Sequence, residues 1–231
     1  PVKISDKVAG MQHFAGYFDF YWDAAKGKVW LKLEEPGEEF LFINWLAAGL
    51  GSNDIGLDRG QGGDNRVVKF ERVGPKVLLV QPNYTYRALS DNPDERASVR
   101  EAFATSTLWG FKVEAEEGNA VLIDMTDFML HDWHGIASRL SALKEGSYQV
   151  DKSRSAAYLA MCKNFPENTE LEASLTFKGK ATGRYLPTVA PSSEAFTLRL
   201  HYSFVKLPDD QYQPRKFDPR GGFWPMEVYD Y

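Results

Sequence analysis

Apolar and polar positions alternate along most of the chain, and the alternating runs come in pairs. "HFAGYFDFYWD" and "KVWLKLE" flank "AAKGK", two aromatic and β-branched runs around a polar turn, which predicts a hairpin. "EEFLFINWLA" adds a third strand. "NRVVKFERV" and "KVLLVQPN" around "GPK", and "VEAEE" with "NAVLIDM" around Gly118 and Asn119, predict two further hairpins. "TELEASLTFKG" and "FTLRLHYSFVKL" are long alternating strands, and Cys162 in "AYLAMCKNF" reads as part of another.

Helical periodicity is confined to two stretches. "SDNPDERASVREAFATST" carries acidic residues after Pro93 and a stripe of Ala97, Val99, Phe103 and Ala104 suited to burial. "TDFMLHDWHGIASRLSAL" opens on Thr126 or Asp127 as cap and breaks at Gly135. "FKGKATGRYLPTVAPSSE" reads as a long surface loop. The expected fold class is α+β, mainly β: a large antiparallel sheet or sandwich built from hairpins, with two short helices, spanning residues 1–231 as one domain.

Composition narrows the functional classes. With 43% hydrophobic and 26% charged residues the chain is folded and globular. A net charge of -5 with both signs interspersed offers no basic stripe, so no nucleic-acid partner is expected. No apolar run reaches the length of a membrane span, and the single Cys162 excludes an internal disulfide. The chain starts without Met, and the expectation is of a segment of a longer protein.

The stretch "GLGSNDIGLDRGQGGDNR", Gly49 to Arg66, interrupts the strands. It lacks the Lys-Ser/Thr of a phosphate-binding loop, has Asp54 where a dinucleotide fingerprint needs its third glycine, and lacks the order of an EF-hand despite Asn53, Asp54, Asp58 and Asp64. A shaped structural or interface loop is the better reading, with Asp58 and Arg59 able to form a buried ion pair within it. His131 and His134 lie three apart, which on a helix gives one face, with Asp127 as a third ligand; no HExxH accompanies them, and a structural role is favoured. Ser141 with Lys144 and Ser203 with Lys206 are chance S-x-x-K matches, and His201 and Cys162 read as core residues. Tyr17, Trp22, Trp30 and Trp45 from neighbouring strands form either core or a platform for sugars or peptides, with core favoured.

"FDFYWDAAKGKVWLKL", "FLFINWLAAGLGSNDIGLDRGQ", "VVKFERVGPKVLLVQPNYTYRA" and "LRLHYSFVKLPDDQYQPRKFDPRGGFW" resemble the amino-terminal domain of unknown function in large bacterial zinc-dependent metalloproteases. "LWGFKVEAEE", "VLIDMTDFML" and "FPENTELEASLTF" extend the resemblance nearly end to end. It implies a non-catalytic accessory domain with no catalytic, cofactor or metal residue of its own. Zinc is expected in a downstream metallopeptidase domain, which would be the partner, with peptide as a possible substrate. A periplasmic, cell-surface or secreted location is implied in the same way. The alternative is an independent peptide- or glycan-binding module. Interface candidates are Asn53, Asp54, Asp58 and Arg59 in the glycine loop, and Phe223 and Trp224 in "KFDPRGGFW", which together with Val228 would dock on the next domain.

Overall fold

A computed structural model describes residues 2–209, 211–222 and 227–231. After a short helix α1 (Ile4–Lys7), strands β1 (Gln12–Phe14), β2 (Phe20–Asp23) and β3 (Lys28–Leu33) form a meander, and β4 (Glu39–Ala48) leads to the glycine loop. β5 (Gly62–Val73) and β6 (Lys76–Gln81) pair around Gly74, whose φ of +57° explains glycine at that turn. β7 (Tyr86–Arg87) and α2 (Pro93–Ala102) follow, then the hairpin β8 (Ser106–Glu117) and β9 (Ala120–Asp124). α3 (Thr126–Met129) and α4 (Ile136–Ala142) precede β10 (Gly146–Val150), β11 (Ala156–Ala157), β12 (Lys163–Phe165) and β13 (Asn168–Ala181). α5 (Leu186–Val189), β14 (Ala195–Lys206) and β15 (Tyr229–Asp230) complete the described elements.

Thirteen of these strands form one antiparallel sheet in the order β1-β2-β3-β9-β8-β6-β5-β4-β14-β13-β10, with β11 and β12 also on β13. The molecule is therefore mainly β, as its alternation predicts, and is built on one large curled sheet. Its first edge returns to the far side: Tyr17 N donates to Phe165 O at 2.8 Å, and Asn164 Nδ2 donates to Phe14 O and Phe18 O, each at 2.8 Å. β7 and β15 form a separate two-stranded parallel pair.

Alternate residues of the long strands fill the concave side. Phe40, Phe42 and Leu46 of β4, Leu171, Leu175 and Phe177 of β13, and Leu200, Tyr202 and Phe204 of β14 are all fully buried there. α3 plugs that side: Phe128 meets Phe42, Trp109, Phe111 and Trp133, and Tyr202 Oη donates to Met129 O at 2.7 Å. Each buried Phe removes enough apolar surface to contribute about 1.5–3 kcal/mol before entropy is charged.

Several local expectations are corrected. Besides the helices expected near residues 93–102 and 126–142, one-turn helices occur at α1 and α5. The second stretch breaks at Gly135 (φ +74°) as expected and so forms two helices, and the carboxylate of Asp132 accepts from Ile136 N and Ala137 N at 2.9 Å each to start α4. Neither Thr126 nor Asp127 caps α3; Asp124 accepts from Thr126 N instead. α2 buries no residue fully: Ala97, Val99 and Phe103 are half-buried and Ala104 is exposed, because the helix lies on β7 outside the main core. Cys162 follows a short 3₁₀ turn (Leu159–Met161), not a strand, and the loop after β13 is tethered by buried Leu186, whose N–H donates to the buried carboxylate of Glu145.

Candidate functional site

The glycine loop leaves β4 and returns to β5 with its apolar residues turned inward. Leu50, Ile55 and Leu57 are buried, and Arg139 of α4 donates through Nε to Ile55 O at 2.8 Å. The two limbs bind each other: Leu50 N donates to Leu57 O at 2.8 Å and Gly60 N to Leu46 O at 2.7 Å. A Cβ on Gly49 would stand 2.5 Å from Arg59 N and Leu57 O, so glycine is required where the limbs cross. Asn53, Asp54, Asp58 and Arg59 are left exposed. The buried Asp58–Arg59 pair therefore does not form, and Asp64 pairs with Arg66 at its side of the loop.

The histidines of "MLHDWHG" do not share a helical face, since His131 to Gly135 form the turn between α3 and α4. His131 packs on Trp109 and Trp133. His134 lies 3.4 Å from the Asn44 amide through Nδ1 and 3.4 Å from Gln61 Oε1 through Nε2. Burial holds both below the ordinary histidine pKa, against the opposing charge of Asp132. Asp127 points elsewhere, to Lys152 at 2.6 Å. Among the described residues no group of three or more His, Cys, Asp or Glu side chains is arranged to hold a metal ion.

The four aromatics are dispersed. Trp30 is buried under α1, Tyr17 and Trp22 pack half-buried against the main core, and Trp45 lies across β9, β8, β6 and β5 from β3. No common platform forms from them. Phe223 and Trp224 lie outside the described residues; Val228 is exposed, and after it Tyr229 and Tyr231 pack on Tyr86 and Phe103.

The densest polar chemistry sits on the convex face, where β13, β14 and β4 run side by side. Glu170 and Glu172 alternate with core residues of β13, and Arg199, His201 and Ser203 alternate with core residues of β14; antiparallel pairing sets Glu172 opposite His201 and Glu170 opposite Ser203. His201 Nε2 is 2.7 Å from Glu170 Oε2 and Nδ1 is 2.9 Å from Glu172 Oε2, so a protonated ring donates to both carboxylates. Ser203 Oγ donates to Glu170, as does Asn168 Nδ2 at 2.6 Å. The indole of Trp45 stacks on the imidazole, centroids 4.6 Å apart.

Burial works against the His201 imidazolium, but the hydrogen bonds to Glu170 and Glu172 outweigh it and hold the pKa above its ordinary value. Burial likewise opposes the Glu170 carboxylate, and donation from His201, Ser203 and Asn168 overcomes it and lowers the pKa. Cys162 adjoins this network: its sulfur accepts from Glu172 N at 3.4 Å, and burial pushes the thiol up to about 11, which leaves it unreactive.

Glu172 has a second oxygen. Oε1 is buried and 3.1 Å from Arg199 Nη1, an ion-pair distance, yet the contact lacks hydrogen-bond alignment and Oε1 receives no hydrogen bond. Glu172, Arg199, His201, Trp45, Met161 and Arg59 surround an open cleft of about 480 Å³. β4 changes register twice beside it, between Ile43 and Trp45 against β5 and opposite Arg199 and Leu200 against β14. Such irregularities re-aim side chains at the edge of a site. Of the loop residues singled out in the sequence, only Arg59 is brought to this cleft; Glu170, Glu172, Arg199 and His201 were missed as a group. Their signal was the spacing of two on each strand, "ELE" and "RLHYS", which places like chemistry on one face.

The family model described as a domain of unknown function (DUF5117) matches residues 60–231. The chain belongs to this family. The matched DUF5117 segment contains Glu170, Glu172, Arg199, His201 and Ser203, whereas Trp45 and Arg59 precede it. No curated protein and no solved structure matches the chain. No helix of the described residues is long and apolar enough to cross a membrane.

Proposed function

We propose that this DUF5117 chain is a non-catalytic accessory domain of a bacterial zinc-dependent metallopeptidase, one that positions, stabilises or regulates a downstream protease domain. The zinc belongs to that domain, and the location is periplasmic, cell-surface or secreted. The observation that carries the reading is the glycine loop, whose buried Leu50, Ile55 and Leu57 hold it in place while Asn53, Asp54, Asp58 and Arg59 face outward. A tethered loop with an exposed polar rim contacts another surface without paying the entropy of ordering first.

The test begins with the gene, which should encode an in-frame HExxH beyond Tyr231. In the full chain, replacing Asn53, Asp54, Asp58 and Arg59 together by alanine should change peptidase kcat/KM by about tenfold, roughly 1.4 kcal/mol, with Tm unaltered. Unchanged cleavage with unchanged Tm removes the loop from any contact role. A second reading, an independent binding module for peptide or glycan, is favoured by the cleft beside Trp45, whose walls are charged and aromatic.

A further inference from the structure

Four features of the cleft have no counterpart in a merely structural network. Arg59 stands at its mouth, exposed and without a carboxylate partner among the described residues. Arg199 is ion-paired to Glu172 and stacked over Tyr158 at 4.6 Å, but its contact with Glu172 is misaligned, which leaves guanidinium donors unused. Glu172 is a wall of the cleft with a side chain 2% exposed and an acceptor oxygen that receives no hydrogen bond. Trp45, Ala47 and Met161 supply an apolar surface alongside.

We propose that this cleft binds the carboxyl-terminal residue of a peptide. With His201 protonated between Glu170 and Glu172, the two guanidinium groups and the imidazolium face two carboxylates, which leaves one excess positive charge for a monoanion, and guanidinium is the side chain best shaped for a carboxylate. When Arg199, 3.1 Å from the buried Glu172 Oε1, turns its guanidinium to the ligand carboxylate, the amide N–H of the same terminal residue supplies the donor that Oε1 lacks, and its side chain lies on Trp45 and Met161. A sugar acid fits less well. Its carboxylate finds the arginines, but its polar ring leaves the apolar surface of Ala47 and Met161 uncovered, which a peptide side chain covers. The proposal does not depend on the accessory role; it rests on the second reading, a binding module, and names its ligand.

The experiment titrates the chain with an N-acetylated tripeptide acid while following Trp45 indole and His201 ring resonances by NMR. Four comparison ligands accompany it: the C-terminal amide, the depsipeptide in which an ester oxygen replaces the last amide N–H, an amidated peptide with an internal Glu, and glucuronic acid. The acid should bind saturably, with the amide and the depsipeptide each about tenfold weaker. Arg59→Ala, at an exposed position, should weaken the acid several-fold without changing Tm. The depsipeptide probes Glu172 with the protein unaltered, so a misfolded Glu172 variant is not needed. No saturable shift with the acid, equal binding of acid and amide, equal binding of ester and acid, preference for the internal Glu, or binding of glucuronic acid alone would each overturn the proposal.

Discussion

His201 shows how a residue that reads as ordinary core can set a pH dependence. Because its pKa is raised in the folded state, its contribution to stability is complete below the unfolded value near about 6.5 and is lost as pH rises through the folded value. Glu170, lowered in the folded state, contributes above its unfolded value near about 4.3 and loses that contribution as pH falls through the folded one. The pair is therefore at full strength between about pH 4.3 and 6.5. His131 and His134 act with the opposite sign, since histidines held low lose stabilisation as pH falls. The whole-protein profile mixes these effects, and the difference between native and His201→Gln isolates one. The Tm gap should be widest near about pH 5.5 and narrow as pH rises toward about 9. A gap constant across that range would mean that His201 contributes by packing on Trp45 and not by charge.

At the scale of elements, the glycine loop separates two roles that one stretch of sequence combines. Ile55→Ala opens a cavity under the loop and should cost about 2–5 kcal/mol, whereas Asp54→Ala and Asp58→Ala, at exposed positions, should stay within about 0.5 kcal/mol. Urea unfolding of the three variants measures both; a small loss at Ile55 would show that the loop is not anchored through it. The sequence marked this loop by its glycines but not its anchoring, because Leu50, Ile55 and Leu57 follow neither strand nor helix periodicity. Hairpins such as β5–β6 and β8–β9 were legible because Gly74–Pro75 and Gly118–Asn119 are local turn signals. α2 was legible as a helix, with Asn92 accepting from Asp94 N, but not in its shallow packing, which rests on Tyr86 of β7 and on Tyr231. The Glu170–His201–Glu172 network was not legible, since its members come from strands whose pairing no local pattern records.

The same limit governs the whole molecule, whose shape depends on contacts that periodicity does not carry. β4 pairs with β14 across more than half the chain, and the sheet curls until the turn after β1 reaches β12. That seam rests on few atoms: Asn164 donates to Phe14 O and Phe18 O, its Oδ1 accepts from Thr169 Oγ1 at 2.7 Å, and Thr169 Oγ1 accepts from Phe18 N at 2.9 Å. Gly16 passes so close that a Cβ there would stand 2.3 Å from the Asn164 amide. Asn164→Ala takes a donor from Phe14 O and from Phe18 O and leaves the Thr169 hydroxyl only its 3.3 Å bond to Phe18 O, and should lower stability by about 2–4 kcal/mol. Gly16→Ala should be destabilising as well, by pushing the amide off its partners with the amide itself still present. For a chain of this size that loss is a Tm decrease of roughly 5–15 °C by calorimetry. Amide exchange should quicken at Tyr17 and Phe18 before it does in β13 or β14, because the seam opens ahead of the core. Native-like Tm and exchange in both variants would mean that the concave core of Phe42, Phe128, Tyr202 and Phe204 holds the curl unaided, and that the seam only follows it.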